Sequence, residues 1–360
     1  MRLWLCLSWT MNKPIGLYIH IPFCRKKCPY CDFYSVPLNE AAAEEYTKAV
    51  IRNLRHYGGK YDTVYFGGGT PILLADKIGG ILRETDFAEN SEITVECNPC
   101  DMDGNTLGFL KQAGVNRISV GVQSLNDSEL SALGRRHTAE QAKRAIEAAA
   151  KAGFDNISAD IMLAVPGQTA KSLSETIKGL SALPITHISA YLLKIEPNTV
   201  FGKKPPLLPD EDEQSELYLQ AVEELSEKGF GQYEISNFAK PGYESRHNLK
   251  YWHREEYLGI GPAAHSFMNG KRFEVKRSIR EFSEGKFQTE NITDNSPDEN
   301  EEKIMLGLRL CEGIPERLWK PLEKRLGLIP AEYYSIKQGR LSLTPRGFLV
   351  SNEIISTLLS

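Results

Sequence analysis

The sequence contains no hydrophobic run long enough to cross a membrane. Its apolar opening, Met1–Thr10, includes an arginine and is far shorter than the roughly 20 residues that a spanning helix needs. The same stretch has no cleavage-site pattern of a secretory signal peptide. Because Met11 follows directly and Asn12–Leu17 resembles the start of a protein, we expect residues 1–10 to be an extension upstream of the native start. Contact of this short stretch with a membrane stays open.

The chain also has no excess of positive charge. Lys and Arg total 43 against 47 Asp and Glu, which gives a formal net charge of −4. A protein that binds nucleic acid mainly through its phosphates carries a basic surface. The composition therefore offers no electrostatic argument for a nucleic-acid partner and supports only solubility.

A disulfide framework is absent as well. The seven cysteines are an odd number, three of them fall in one short motif, and the others are Cys6, Cys97, Cys100 and Cys311. This usage is typical of a reducing compartment, so we expect a cytoplasmic protein, with peripheral membrane association left open. Cys97 and Cys100 form a C-x-x-C pair, which cannot complete an iron–sulfur cluster alone, and we interpret both as ordinary thiols.

Short β-branched runs alternate with helical stretches from Gly16 to Leu193, which predicts a parallel sheet wrapped by helices. Thr138 and Gln141 have the spacing of a helix capping box, and Gly153 can end the same helix. The fold class is therefore α/β, an open, partial (β/α)6 barrel followed by a smaller, mainly helical C-terminal region. The six expected strands are Leu17–Ile21, Thr63–Phe66, Ile93–Glu96, Arg117–Val120, Asn156–Met162 and His187–Leu192.

The alternation ends in a Pro-rich and then acidic stretch over residues 203–213, which we expect to open a helix running to Lys228. A chain of 360 residues is long enough for one large domain and a smaller one. We expect the core barrel over residues 11–204 and its continuation, with a second motif, over 205–288. A small helical C-terminal domain is expected over 289–360.

Three cysteines in one run, Cys24, Cys28 and Cys31, are the most informative feature of the chain. Three thiolates can hold only three corners of a four-iron cluster, whereas proteins that only carry electrons normally supply four. The fourth iron is then left for a ligand that is not protein, which is usually the substrate of the chemistry. The alternatives are a zinc site, although zinc favours paired ligands with a longer gap, and buried small apolar residues.

This spacing, with Leu17–Phe23 before it and Asp32–Tyr34 after it, resembles the radical S-adenosylmethionine (SAM) superfamily. The flanking residues resemble its branch of oxygen-independent coproporphyrinogen III oxidase-like proteins. The resemblance implies a [4Fe–4S] cluster whose open iron chelates the amino and carboxylate groups of SAM. It also implies that an electron from the reduced cluster cleaves SAM to a 5′-deoxyadenosyl radical, with the protein supplying position and a dry pocket.

Polar residues at the carboxyl ends of the predicted strands would hold SAM, since barrels of this kind place their reactive groups there. The glycine-rich turn after the second strand leaves backbone groups free to approach a ligand, although a tight turn alone would explain it. Glu96 and Gln123 end otherwise apolar strands and need polar partners, for which ribose is suitable. Taken singly, each charged residue could equally form a structural salt bridge. The resemblance assigns to SAM the residues Tyr18, Gly68, Gly69, Thr70, Glu96, Gln123, Arg135 and Asp160.

A second motif, His247-Asn248-Leu249-Lys250-Tyr251-Trp252, has a composition suited to haem. The imidazole of His247 can ligate iron, Asn248 can orient it, and Tyr251 and Trp252 offer flat faces to a porphyrin. The alternative is a packed aromatic corner with a solvated histidine. His253 and His265 are nearby candidates for a second iron ligand, and the sequence does not choose between them.

Phe33 stands where the coproporphyrinogen oxidases typically carry a further cysteine. The Asp32-Phe33 pair and the His247 motif together resemble the HemW-type haem chaperones. That resemblance implies haem binding and delivery to respiratory acceptor proteins, with a homodimer left open. The rival is an oxidase that decarboxylates coproporphyrinogen III to protoporphyrinogen IX, and a third reading is a radical SAM enzyme with no working porphyrin link. Whether the chain is an enzyme therefore stays open.

Overall fold

The computed structural model describes residues 13–285 and 290–360, so the expected extension over residues 1–10 lies outside it. The strands are β1 (Ile15–Ile21), β2 (Phe23–Cys24), β3 (Val36–Pro37), β4 (Lys60–Gly68), β5 (Asp86–Cys97), β6 (Arg117–Gln123), β7 (Asn156–Leu163), β8 (His187–Leu192), β9 (Gly231–Glu234), β10 (Asn237–Ala239), β11 (Tyr257–Ile260), β12 (His265–Met268), β13 (Lys271–Val275), β14 (Glu290–Asp294), β15 (Ile314–Pro315), β16 (Tyr334–Lys337) and β17 (Arg340–Leu343).

The helices alternate with the strands in the first half of the chain and dominate its last part. They are α1 (Glu40–Tyr57), α2 (Ala75–Leu82), α3 (Gly104–Gln112), α4 (Asp127–Ala132), α5 (Ala139–Lys151), α6 (Ala170–Ser181), α7 (Val200–Lys203), α8 (Glu211–Glu227), α9 (Arg246–Trp252), α10 (Ile279–Ser283), α11 (Glu299–Gly307), α12 (Glu316–Trp319), α13 (Glu323–Leu326), α14 (Pro345–Leu349) and α15 (Ser351–Leu359). None of these helices is both long and apolar enough to span a membrane.

The main sheet confirms the predicted partial barrel. Its strand order is β14-β13-β12-β11-β1-β4-β5-β6-β7-β8-β10-β9, and the pairs from β1 to β8 are parallel in chain order, as six consecutive β/α units require. One further parallel strand was not predicted: β11 pairs with β1, Gly16 opposite Tyr257. It escaped prediction because it is short, contains Gly259 and is followed by a Gly-Pro pair.

Strict alternation gives the barrel strands two different faces, since successive side chains point to opposite sides. On β1 and β4 the residues Leu17, Ile19, Val64 and Phe66 are fully buried in the core that the helices cover. The opposite face carries polar and aromatic side chains that contact one another across the strands, and we call it the lumenal face; among its residues are Tyr18, Tyr65, Glu96, Ser119 and Asp160.

Two predicted helix ends are confirmed. The hydroxyl of Thr138 accepts from the backbone N–H of Gln141, whose side chain accepts in return from the backbone N–H of Thr138 at 2.9 Å. Gly153 follows α5 with φ +89°, and its N–H bonds to the carbonyl of Ala150, which satisfies an otherwise open helix end. The acidic stretch likewise forms α8, with Asp210 as its cap.

The chain after residue 204 builds both edges of the main sheet and then a small helical part. Strands β9 and β10 add beside β8, while β11 to β14 add beside β1. The last part of the chain is mainly helical, as predicted. It also holds a three-stranded sheet of β15, β17 and β16 that the sequence did not reveal.

Glu302 joins the helical part to the sheet. This α11 carboxylate accepts from Nε of Arg254 at 2.5 Å and from Nε of Arg272, and both guanidinium groups lie over the ring of Phe267. Partial burial acts to raise the pKa of Glu302, but the two guanidinium groups outweigh it and hold the pKa below its usual value. The charged network therefore stabilises the packing of α11 on the β12–β13 hairpin.

We predict that Glu302→Gln lowers the free energy of unfolding by about 2 kcal/mol at neutral pH, because two partly buried cations lose their charged hydrogen-bond partner. The stabilisation by Glu302 is present above the ordinary carboxyl pKa and is lost as the pH falls through the lowered pKa. Urea unfolding of the cluster-free protein at neutral and acid pH measures both effects. Glu299→Gln, which removes an exposed pair with Lys303 on the same helix, is the control. Equal losses in the two variants would contradict the assignment.

Candidate functional site

The three cysteines lie in one loop at the carboxyl end of β1. Cys24 ends the two-residue strand β2, and the loop closes where the backbone N–H of Leu38 bonds to the carbonyl of Cys24 at 3.1 Å. The N–H of Cys31 bonds to the carbonyl of Cys28, which folds the loop into a turn. Burial raises the pKa of the Cys31 thiol, and the neighbouring Cys28 and Cys24 thiols raise it further. The structure thus gathers the three thiols.

The donor set is suited to a four-iron cluster. All three thiols are half-buried, and none of them forms a disulfide with another described cysteine. Within the described ranges, no three or more His, Cys, Asp or Glu side chains are arranged around a single metal ion. A cluster does not need such convergence, because each thiolate binds a different iron.

Arg135 lies directly beside the cysteine loop. Its Nη1 is 3.5 Å from the sulfur of Cys28, and its Nη2 donates to the carbonyl of Gly121 at 2.7 Å. Its buried Nε has no hydrogen-bond partner among the described residues. A buried donor without a partner is costly, so this planar cation has capacity for an anionic ligand such as a carboxylate.

The glycine-rich turn after β4 lies against the cysteine strand. The backbone N–H of Thr70 bonds to the carbonyl of Phe23 at 2.8 Å, and the Thr70 hydroxyl is 3.5 Å from the sulfur of Cys24. A Cβ at Gly69 would lie 2.5 Å from the Phe23 carbonyl oxygen, so no side chain can be accommodated there. Gly68 has φ +111°, which favours glycine as well. The predicted residues Gly68, Gly69 and Thr70 thus border the cysteine loop.

Tyr18 reaches the same loop through a residue that the sequence did not single out. The Tyr18 hydroxyl is 3.0 Å from Nδ1 of His20, and Nε2 of His20 is 2.8 Å from the carbonyl oxygen of Tyr34, just after the cysteines. Burial lowers the pKa of His20. His20 could have been found from period-two alternation, because it follows Tyr18 on the lumenal face of β1.

Two half-buried carboxyl groups face the lumen. Glu96 accepts from the Tyr65 hydroxyl at 2.9 Å and from the Gly68 N–H at 3.2 Å, and Asp160 accepts from the Ser119 hydroxyl at 3.0 Å. Burial, with Asp160 nearby, raises the pKa of Glu96 to about 7. Burial also raises the pKa of Asp160, against serine hydroxyls that lower it. Carboxyl groups in this state can take hydrogen bonds or positive charge from a ligand.

Gln123 ends β6 beside Arg135. It has φ +69°, which is uncommon for a residue other than glycine. A Cβ on Gly121 would lie 3.0 Å from Nε2 of Gln123 and 3.2 Å from Nη2 of Arg135, so the two side chains flank this glycine. The structure therefore places all eight residues predicted for SAM along the carboxyl half of the lumen and the adjoining loops.

The second motif lies on α9, against the barrel strands β4 and β5. His247 is 1% exposed on α9; its Nδ1 is 2.8 Å from the Thr63 hydroxyl and its Nε2 is 2.7 Å from the Tyr251 hydroxyl. Burial lowers the pKa of His247 to about 3, so the ring is neutral. With both nitrogens engaged, the ring binds iron only after one of these hydrogen bonds breaks. Its role as a haem ligand stays a prediction.

The other residues proposed for haem are more accessible. Asn248 and Trp252 are half-buried. His253 is exposed, 2.9 Å from Glu312, and borders an open cleft of about 320 Å³ that also includes Tyr233 and Cys311. His265 is exposed, with Nε2 3.6 Å from Glu274. The two candidates for a second ligand are therefore exposed, whereas His247 is buried.

The arrangement was compared with known proteins. A sequence profile of the Radical SAM superfamily matches residues 18–180. The chain is 37% identical over 318 residues to the heme chaperone HemW of Escherichia coli (strain K12), which covers 84% of each chain. It is 35% identical over 374 residues to HemW of Bacillus subtilis (strain 168), with 95% of this chain and 98% of the relative covered.

Among solved structures, the coproporphyrinogen III oxidase HemN from Escherichia coli, a radical SAM enzyme, superimposes with a TM-score of 0.81. The match covers 98% of this chain and 91% of HemN at 18% sequence identity. At this identity the likeness establishes a shared fold and not a shared reaction.

We predict that Gly69→Ala weakens retention of a reconstituted cluster, because the added methyl group meets the Phe23 carbonyl and displaces the turn, at a cost of about 1–3 kcal/mol. Iron content and the visible absorbance of the cluster, followed over time without oxygen, measure the effect. Gly80→Ala is the matched control, because its Cβ would meet only the end of Arg83 at 3.7 Å. Unchanged retention in Gly69→Ala would contradict the tight contact.

Proposed function

Because this chain belongs to the HemW haem chaperone family within the radical SAM superfamily, we propose that it binds a [4Fe–4S] cluster, SAM and haem. We further propose that it delivers the haem to acceptor proteins, with respiratory haem proteins as the expected class. The observation that carries this proposal is the similarity, over most of the chain, to proteins named haem chaperones.

The cysteine loop and its neighbours would form the cluster and SAM site. Cys24, Cys28 and Cys31 would each bind one iron, and the bound cluster would supply an electron to SAM. Arg135 offers its unpaired Nε to a carboxylate, and its charge lies 3.5 Å from the Cys28 sulfur. The half-buried carboxyl groups of Glu96 and Asp160 would receive the polar groups of SAM, and the turn of Gly68 to Thr70 would meet it with backbone atoms.

Phe33 supports a carrier rather than an oxidase. Its side chain is 66% exposed in the loop that follows the cysteines, at the place where the oxidases typically carry another thiol. A phenyl ring can neither ligate iron nor transfer a proton, so it cannot replace a thiol in either role. The rival oxidase reading keeps the support of a shared fold alone.

Haem would bind in the later half of the chain, with the segment from His247 to Trp252 as the proposed contact. Asn248 and Trp252 are accessible as the structure stands, whereas His247 and Tyr251 bond to each other. Imidazole ligation by His247 would therefore accompany a local opening of α9.

We predict that anaerobically reconstituted protein shifts the Soret band of added haem and forms no protoporphyrinogen from coproporphyrinogen III. Haem titration with and without SAM, followed by incubation with reductant, SAM and coproporphyrinogen III, measures both activities. A Soret shift without turnover is the expected result. Appreciable formation of protoporphyrinogen would establish the oxidase instead, and a missing Soret shift would leave a radical SAM enzyme of another kind.

We predict that Cys28→Ser removes the cluster and SAM binding and leaves haem binding unchanged, because the second motif lies on a different element. Iron content, visible absorbance and haem titration distinguish the two sites. Cys311→Ser, which alters a half-buried thiol outside the loop, should retain its iron. Loss of haem binding in a Cys28→Ser protein with an unchanged circular dichroism spectrum would contradict two separate sites.

A further inference from the structure

α9 is fixed to the barrel through His247. The backbone N–H groups of Arg246 and His247 each donate to the carboxylate of Glu92 on β5 at 3.1 Å. The imidazole bridges Thr63 of β4 and Tyr251 of its own helix through its two nitrogens. A histidine bonded on both sides in this way has one ring orientation, because any rotation leaves a buried hydroxyl without a partner.

Tyr65 carries this constraint along β4 towards the cysteine loop. It follows Thr63 on the same face of the strand, and its ring packs nearly parallel to His247, with centroids 5.3 Å apart and planes at 26°. The same ring packs on Tyr18 at 6.2 Å. The Tyr65 hydroxyl then donates to Glu96 at 2.9 Å. Contact is therefore continuous from His247 through Tyr65 to the Glu96 carboxyl.

We propose that His247 is a positioning residue for the SAM pocket, which fixes the Tyr65 ring and through it the carboxyl of Glu96. This inference rests on the proposed function in one respect, that Glu96 faces SAM. It gives the motif on α9 a role within the barrel that does not require haem. His247 thus packs against Thr63 and Tyr65 on one face of β4.

The Tyr65 hydroxyl also tunes the charge of Glu96. Burial and Asp160 raise the pKa of Glu96 to about 7, and the hydrogen bond from Tyr65, with that from the Gly68 N–H, lowers it. The titratable and charged groups that face Glu96 are Tyr18, Tyr65, Cys97, Arg117, Asp160, Tyr191 and Tyr251. If Tyr65 moves away, the pKa of Glu96 rises, and its ionised form appears only at higher pH.

The rise expected in the pKa of Glu96 gives the test a readout that a general loss of stability does not mimic. SAM carries a sulfonium charge, so its affinity should rise as Glu96 ionises. We expect Tyr65→Phe and His247→Ala each to weaken SAM binding about 10-fold at neutral pH and to move the midpoint of the affinity profile to higher pH. The double variant should shift no further than Tyr65→Phe alone, because both changes remove the same hydrogen bond.

The measurement is a SAM titration of the anaerobically reconstituted holoprotein, followed by the change in the spectrum of the reduced cluster across neutral pH. Arg246→Gln, which changes an exposed side chain of the same helix and keeps the backbone N–H that donates to Glu92, is the control and should behave as wild type. Wild-type affinity and midpoint in His247→Ala would overturn the inference, even if that variant loses its Soret response. Additive midpoint shifts in the double variant would overturn it as well.

Two further variants keep the test decisive. If His247→Ala does not retain iron, Thr63→Val removes one hydrogen bond of the same histidine with little change of shape. The midpoint should then shift in the same direction, and an unchanged midpoint contradicts the inference. Glu96→Gln reports on the proposed function separately. If Glu96→Gln binds SAM as the wild type does, then Glu96 does not face the cofactor. That result would contradict the proposed function and would leave the contacts of His247 with Tyr65 unaffected.

Discussion

The site depends on backbone hydrogen bonds between two segments. They attach the turn after β4 to the strand segment that leads to Cys24. The N–H groups of Gly69 and Thr70 bond to the carbonyls of Ile21 and Phe23, both at 2.8 Å. These bonds join two consecutive β/α units at their carboxyl ends. The two backbones can approach so closely because Gly69 has no side chain. The cysteine loop can then share one pocket with the residues at the carboxyl ends of β4, β5 and β6.

The polarity of the lumen is the second constraint. Parallel barrel strands are buried on both faces, so each lumenal polar group must find a partner. Tyr65, Glu96, Ser119 and Asp160 partly satisfy one another. Nε of Arg117 has no partner within the described residues. Interior polar groups of this kind are completed by a polar ligand or by ordered water, which makes the lumen a place for a hydrophilic cofactor.

The parts of the fold and the site that could be predicted have one property in common, which is a signal within a short stretch of sequence. The six strands and the helix caps follow from local periodicity and end signals, and the cysteine motif and Gly68 to Thr70 follow from spacing. Strand β11 and the small sheet of β15 to β17 are too short to show a period, and their pairing depends on tertiary contacts. Tyr65 acts on Glu96 from another strand, so no window of sequence contains that contact.

The His247 motif shows how far residue type can predict a role. Its composition suited both a haem contact and a packed aromatic corner, and the structure gives it the packing of an aromatic corner, with the histidine buried rather than solvated. Burial decides this because an imidazole bonded through both nitrogens must give up one of these hydrogen bonds before it can ligate a metal.

If the chain carries haem it must also release it, so the accessibility of the iron ligand would then bear on function as much as its affinity does. His253 and His265 are exposed, and each faces one partly exposed carboxylate, an interaction that contributes little to stability in water. An imidazole held this weakly can exchange partners without opening the fold. His247 can exchange only by releasing α9 from β4, and since Tyr65 packs on His247, such an opening would also disturb Glu96. In this arrangement, haem ligation at His247 and an intact SAM pocket would oppose each other, whereas ligation at an exposed histidine would leave the pocket unchanged.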